Sequence, residues 1–168
     1  MVSAEVPTCE QDRLATLHRL LCLDTPPEER FNRIVQFAAD EFDMPIVLLS
    51  LVDADRQWFK ARVGMEMCET TRDVSFCAHA ILADDIMIVQ DTLLDARFFD
   101  NPFVLGSPYL RFYAGAPLKM TNGMQVGTLC LMDTVPGDLD TTDLAILGSL
   151  RDLIARELEQ IHSDSEPA

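Results

Sequence analysis

The 168-residue sequence predicts an α+β fold in which antiparallel strands are joined by local turns and helices lie at both ends of the chain. Three observations predict it. Ile46 to Val52 is an unbroken apolar run, followed by the turn Asp53-Ala54-Asp55 and a second strand-like run from Arg56 to Val63. Asn122-Gly123 separates two further runs, Arg111 to Leu118 and Met124 to Asp133, and this dipeptide suits the positive backbone angles of a type I′ hairpin turn. Apolar residues recur at helical spacing near both termini. The length fits one domain over residues 9–162, with tails at 1–8 and 163–168.

The elements follow in order. Thr8 with Gln11 reads as a capping box, and Leu14, Leu17, Leu20 and Leu21 give an apolar stripe to a first helix from Cys9 to Leu23. Thr25 as cap and Pro26 at the first helical position start a second helix, which carries Phe31, Ile34, Val35, Ala38 and Phe42 and ends before Pro45. The first hairpin comes next, closed by Gly64. Ser75 caps a short helix from Phe76 to Ala83, and Ile86 to Gln90 is a brief strand. Asp91 to Leu110, with Pro102, Gly106 and Pro108, has no regular period; a connection of that length inside a compact domain is usually functional or disordered. After the second hairpin, Leu144, Leu147, Leu150, Ile154, Leu158 and Ile161 mark a long amphipathic helix from Thr141 to His162, expected to pack on the first helix.

Composition narrows the function. Thirteen Lys and Arg against twenty-eight Asp and Glu give a net charge of −15, a field that repels nucleic acid and anionic membrane. No apolar run reaches bilayer-spanning length, so the expected location is cytoplasmic. Five scattered cysteines, at positions 9, 22, 68, 77 and 130, form no metal-ligand spacing and suit a reducing compartment.

With the elements placed, the wording resembles the GAF domains of bacterial histidine kinases, diguanylate cyclases and phosphodiesterases. The resemblance covers Arg13 to Glu159. It rests on Leu23-Asp24-Thr25-Pro26-Pro27, Arg56-Gln57-Trp58-Phe59-Lys60, Ser75-Phe76-Cys77-Ala78-His79, Arg97-Phe98 with Asp100-Asn101-Pro102, Arg111-Phe112-Tyr113-Ala114-Gly115, and Gly127-Thr128-Leu129-Cys130. It implies a GAF/PAS-like arrangement: a central antiparallel sheet, terminal helices on one face, and on the other a pocket covered by the short helix and the long loop. It implies a sensory or signal-input role rather than catalysis, with a small-molecule ligand of unknown identity, a signalling partner regulated in trans or within a larger system, and a homodimer formed through the terminal helices. Two other readings stay open. One is a thiol enzyme resembling free methionine-(R)-sulfoxide reductase, although Asp91 to Leu110 holds no cysteine for it; the other is a purely structural dimerisation module.

The candidate ligand-binding residues are Trp58, Cys77, His79, Asp91, Phe98, Arg111, Tyr113 and Cys130. Cys77, in the first turn after Ser75, reads as a redox-responsive thiol or, more simply, as a small buried hydrophobe. His79 titrates near neutrality or makes a structural hydrogen bond. Arg111 shares a strand face with Tyr113 and is expected to pair with Asp91 or Asp95, pinning the loop to the sheet or receiving an anionic group. Trp58, Phe98, Phe99 and Phe103 supply aromatic walls or ordinary core. Val126, Thr128, Cys130 and Met132 share one strand face, and whether Cys130 meets Cys77 is left open. No residue is assigned to a metal or to catalysis.

Overall fold

A six-stranded, wholly antiparallel sheet forms the middle of the molecule, in the order β3-β2-β1-β6-β5-β4. A computed structural model describes residues 1–165 of the backbone and the side chains through residue 160. The strands are β1 (Ile46–Val52), β2 (Arg56–Val63), β3 (Glu69–Thr71), β4 (Met87–Val89), β5 (Phe112–Lys119) and β6 (Gln125–Asp133). The helices are α1 (Glu10–Arg19), α2 (Glu29–Phe42), α3 (Phe76–Ala80), α4 (Pro102–Leu105) and α5 (Thr141–Ser165).

β1 explains the architecture. All seven of its residues are buried, so its two sides need separate covers. Val47, Leu49 and Leu51 join the core under α1, α2 and α5 with Phe31, Val35, Leu147, Ile154 and Leu158. Ile46, Leu48 and Val52 join a second core with Phe59, Phe76, Phe98, Tyr113 and Cys130, under α3 and the 91–110 segment. Replacing a buried aliphatic such as Leu147 or Ile154 by Ala in such a core costs about 2–5 kcal/mol.

Several boundaries differ from the expectation for identifiable reasons. Thr25 does not cap α2, whose N-cap is Glu28. Its hydroxyl instead donates to the Cys22 carbonyl and accepts from Lys60. Lys60 is buried at a register shift in the β1–β2 pairing, and its ammonium meets Glu28 at 2.7 Å and the Pro26 carbonyl at 2.9 Å. A buried cation needs such partners, and the Thr25-Pro26-Pro27 segment is spent on supplying them. Leu21, expected on the stripe of α1, takes a left-handed φ of 54° and is exposed, because α1 has already ended. α5 packs on α2 and β5, while α1 lies on β6.

At the second hairpin only Gly123 has positive φ, so the turn is not type I′. Asn122 is occupied otherwise: its Oδ1 accepts from the Met124 amide and its amide donates to Thr16 on α1. The irregular segment contains α4, capped by the Asn101 side chain accepting from the Phe103 amide. Residues 1–8, expected as a tail, lie against this segment: the terminal amine pairs with Asp100 and the Val2 amide donates to the Arg97 carbonyl. At the other end α5 continues through Ser165, and residues 166–168 of the expected tail lie outside the described residues.

α1 is fastened by one carboxylate. Glu10 accepts from Arg13, itself buried and donating to the Val52 carbonyl at 2.7 Å, and from Arg72 beside the β1–β2 turn. Burial alone raises the Glu10 pKa, but the two guanidinium groups outweigh it and hold it at about 2. With the folded value depressed, the ion pairs stabilise the fold fully above the unfolded value near 4.5, and the contribution fades as pH falls through the folded value. We expect Glu10→Gln to cost about 1–2 kcal/mol at pH 7, after allowance for solvent screening. The difference from the parent should vanish in urea melts as pH drops from 4.5 toward 2; a difference that does not shrink over that window would contradict the assignment.

Candidate functional site

The lid side of the sheet is built from alternate residues of β1, β2, β5 and β6. On β2, Gln57 and Phe59 point to the lid while Trp58 points to the helices. Trp58 is therefore a wall of the helix-side core and does not line the pocket, a correction that follows from strand alternation. Ser50 and Thr128, opposite each other on β1 and β6, are the buried polar residues of the two central strands.

These residues converge on Cys77. Its Sγ accepts from the Thr128 hydroxyl at 3.0 Å and the Tyr113 hydroxyl at 3.2 Å, and lies 3.8 Å from the Cys130 Sγ. Tyr113 reaches so far because Gly115, two residues along the same face, has no side chain: a Cβ there would come within 2.2 Å of the Tyr113 hydroxyl. Beside the sulfurs, Gln57 Oε1 accepts from Ser50 at 3.1 Å and from Ser75 at 2.8 Å, and its amide donates to Thr70 at 2.7 Å. Ser75 in turn accepts from the Ala78 amide and so caps α3 as expected. Phe76 stacks between Phe98 and Tyr113, at 4.2 and 5.2 Å.

Charge at Cys77 is shaped by opposing effects. Complete burial pushes the thiol up, but hydrogen bonds to the thiolate, from Cys130, Thr128 and Tyr113 foremost, prevail and bring it down to about 7. Burial and the adjacent Cys77 drive Cys130 and Tyr113 the other way, well above their usual values. Of the pair, the Cys77 thiol is the one pulled down, by the donors around it, while burial and the adjacent sulfur push Cys130 up.

The free space is small. A cavity of about 20 Å³, lined by Gln57, Phe59, Phe76, Cys77, Leu110 and Tyr113 among others, lies between sheet and lid. That is room for about one water molecule. Met65, Thr70, Val74 and Phe103, all half-buried, form its mouth.

The other expected residues sit elsewhere. Arg111 grips Asp91 through two hydrogen bonds of 3.0 and 2.9 Å, and Asp91 also caps a single 3₁₀ turn, Thr92–Leu94. The pair pins the start of the lid to β5, helped by the Thr92 hydroxyl on the Leu110 carbonyl, and does not line the cavity. Its mutual hydrogen bonds lower the Asp91 pKa and raise that of Arg111. His79 turns away from the sulfurs to an open groove of about 470 Å³, where its ring meets the Val2 carbonyl at 3.0 Å and the edge of Phe98. Burial, with the Arg97 charge beside it, lowers its pKa. Phe98 is buried as a lid anchor, and Phe99 is exposed. Sequence reasoning missed Ser50, Gln57 and Thr128; a lone Ser within an apolar strand and a Gln beside an inward Trp were the available signals.

Three comparisons bear on this arrangement. Residues 26–158 match the family described as GAF domain. A cyclic di-GMP phosphodiesterase of Pseudomonas aeruginosa is 40% identical over 164 residues, which is 97% of this chain but 28% of that protein. The GAF domain of a phosphoenolpyruvate-protein phosphotransferase from Coxiella burnetii superposes with a TM-score of 0.70 at 13% identity, covering 92% of this chain and 96% of that one. The free methionine-R-sulfoxide reductase of Neisseria meningitidis, in complex with its substrate, does so at 0.65 and 16% identity, covering 99% and 100%. Both structural likenesses concern the fold.

We expect Tyr113→Phe to remove one donor from the Cys77 thiolate. Thiolate absorbance against pH should place its titration clearly above the parent's value of about 7, with a stability loss of about 1 kcal/mol. An unchanged titration would show that Tyr113 does not support the charge.

Proposed function

The chain belongs to the GAF domain family, and from that premise we propose that it is a sensory input domain of a cyclic di-GMP signalling protein. The observation that carries this reading is the 40% identity, over almost the whole chain, to a segment that makes up 28% of a cyclic di-GMP phosphodiesterase. A segment of that share is read as the regulatory part, with hydrolysis performed elsewhere in such a protein.

The lid side is the proposed sensing surface. Cys77, Tyr113, Phe98 and Cys130 are its fixed elements, while His79, Asp91 and Arg111 hold the lid from outside. A small molecule larger than water enters only by displacing the lid, since the free volume is about 20 Å³. Entry would cost the Ser75–Gln57 and Tyr113–Cys77 hydrogen bonds. A ligand can shift the equilibrium between closed and open states only by its differential affinity for them; Ser50, Gln57, Thr70 and Ser75 offer both donors and acceptors for that purpose.

Two further features belong to the proposal. We place the domain in the cytoplasm; no helix of the described residues is long and apolar enough to cross a membrane. We also propose a homodimer through the terminal helices, supported by the exposed apolar side chains Phe37 on α2 and Leu153 on α5. Sedimentation should then give twice the chain mass of 18.8 kDa; a single species at the chain mass in concentrated solution argues against it.

The test exchanges domains. This chain should replace the matching segment of the Pseudomonas phosphodiesterase and preserve cyclic di-GMP hydrolysis. Gln57→Leu in the chimera should change its rate several-fold without changing the fold. Hydrolysis that is indifferent both to Gln57→Leu and to deletion of the segment would remove the sensory reading.

A further inference from the structure

Cys77 and Cys130 come from elements 53 residues apart in sequence, the first turn of α3 and the middle of β6, yet their sulfurs are in contact at 3.8 Å. A disulfide bond is about 2.05 Å long, so bonding requires an approach of roughly 1.8 Å. The short helix α3 can supply such a shift more readily than a central strand paired on both sides. The two sulfurs are not equivalent. Cys77 borders the cavity and accepts hydrogen bonds from Thr128 and Tyr113, whereas Cys130 does not line that space and is wholly buried behind it. The space itself admits a molecule about the size of water, which selects the smallest oxidants and excludes disulfide-bearing ones such as oxidised glutathione.

We propose that Cys77 and Cys130 are a peroxide-responsive thiol pair that closes to an intramolecular disulfide. The Cys77 thiolate attacks one oxygen of a hydroperoxide, breaking the O–O bond. The oxidant that fits the space is hydrogen peroxide: Cys77 becomes a sulfenic acid and the other oxygen leaves, taking up a proton as water. Cys130 then attacks the Cys77 sulfur, displacing its hydroxyl, which combines with the Cys130 proton as a second water. In sum, two thiols and one hydrogen peroxide give one disulfide and two waters, and two electrons pass from sulfur to oxygen.

Thr128 and Tyr113 act as positioning residues here, holding the nucleophilic sulfur toward the space and supporting its charge. Once the disulfide forms, the Cys77 sulfur no longer carries charge to accept their hydrogen bonds. The shift of α3 then loads the Ser75–Gln57–Thr70 contacts and β5, which carries Tyr113. This chemistry stands whether or not a ligand enters beneath the lid.

Tryptic mapping of the native chain reads it directly. Residues 73–97 contain Cys77 as their single cysteine, and residues 120–151 contain Cys130. After one equivalent of hydrogen peroxide and capping of free thiols, the two peptides should be found joined, two hydrogens lighter than their sum, and separated again by dithiothreitol. The rate should rise with pH through about 7 and level off above it. Cys77→Ser should abolish the link, while Cys130→Ser should leave Cys77 as a sulfenic acid, trapped by dimedone once denaturant opens the lid. Cys77 and Cys130 both remaining reduced while exposed Cys9 and Cys68 are oxidised would overturn the proposal, as would a Cys77 link to another cysteine. If either variant fails to fold, the map of the parent protein decides alone.

Discussion

The lid half of this molecule depends on one buried sulfur and the donors gathered around it. A sheet whose central strand is buried on both sides must be covered twice. The helix-side cover is apolar and large, and it closes by area. On the lid side the cover is made of short pieces, a five-residue helix, a 3₁₀ turn and a four-residue helix. Beside the burial of Phe76, Phe98, Val104 and Leu110 they are held by polar contacts: Thr128 and Tyr113 on Cys77, Gln57 on Ser75, and Asn101 on the Val74 carbonyl at 3.1 Å.

A cover held in this way has a functional consequence. Each buried hydrogen bond contributes about 0.5–1.5 kcal/mol when made, yet leaving a buried partner unsatisfied costs about 1–3 kcal/mol. Disturbing one group therefore leaves its neighbours unsatisfied as well. The rim contacts, Arg111 on Asp91 and Asn101 on Val74, fasten the segment at its start and at α4. On the helix side, Lys60 and Glu10 fasten the inter-element segments.

Much of the fold was legible because its signals are local. The apolar run of β1, the Asn-Gly turn, the Ser75 cap and the stripe of α5 each specify their own element. The site was legible in part. Cys77, Tyr113 and Cys130 stand out by residue type, but that Cys77 and Cys130 meet is shown only by the packed structure; of the two carboxylates expected for Arg111, Asp91 is the one it grips. Trp58 went to the wrong wall because a solitary aromatic draws attention ahead of its neighbour Gln57, whose position on the opposite face follows from the same alternation. Thr25 has the sequence signature of a helix cap, and nothing in its own segment reveals that Lys60, thirty-five residues later, needs its oxygen. The sealing of the pocket to about 20 Å³ was beyond sequence reasoning, since it depends on how Phe76, Phe98 and Leu110 fill space together. Gly115 belongs with these: only the packed structure reveals that its missing side chain makes way for the Tyr113 hydroxyl.

The account turns on the lid being closed over Cys77, and thiol accessibility in the native, reduced protein tests this most directly. With iodoacetamide in excess, Cys9 and Cys68 should be alkylated at the rate of free thiols, while Cys22, Cys77 and Cys130 react at least a hundredfold more slowly until denaturant is added. Alkylation of native Cys77 as fast as Cys68 would mean that the sulfur stands open to solvent, and the sealed arrangement described for the lid would be wrong.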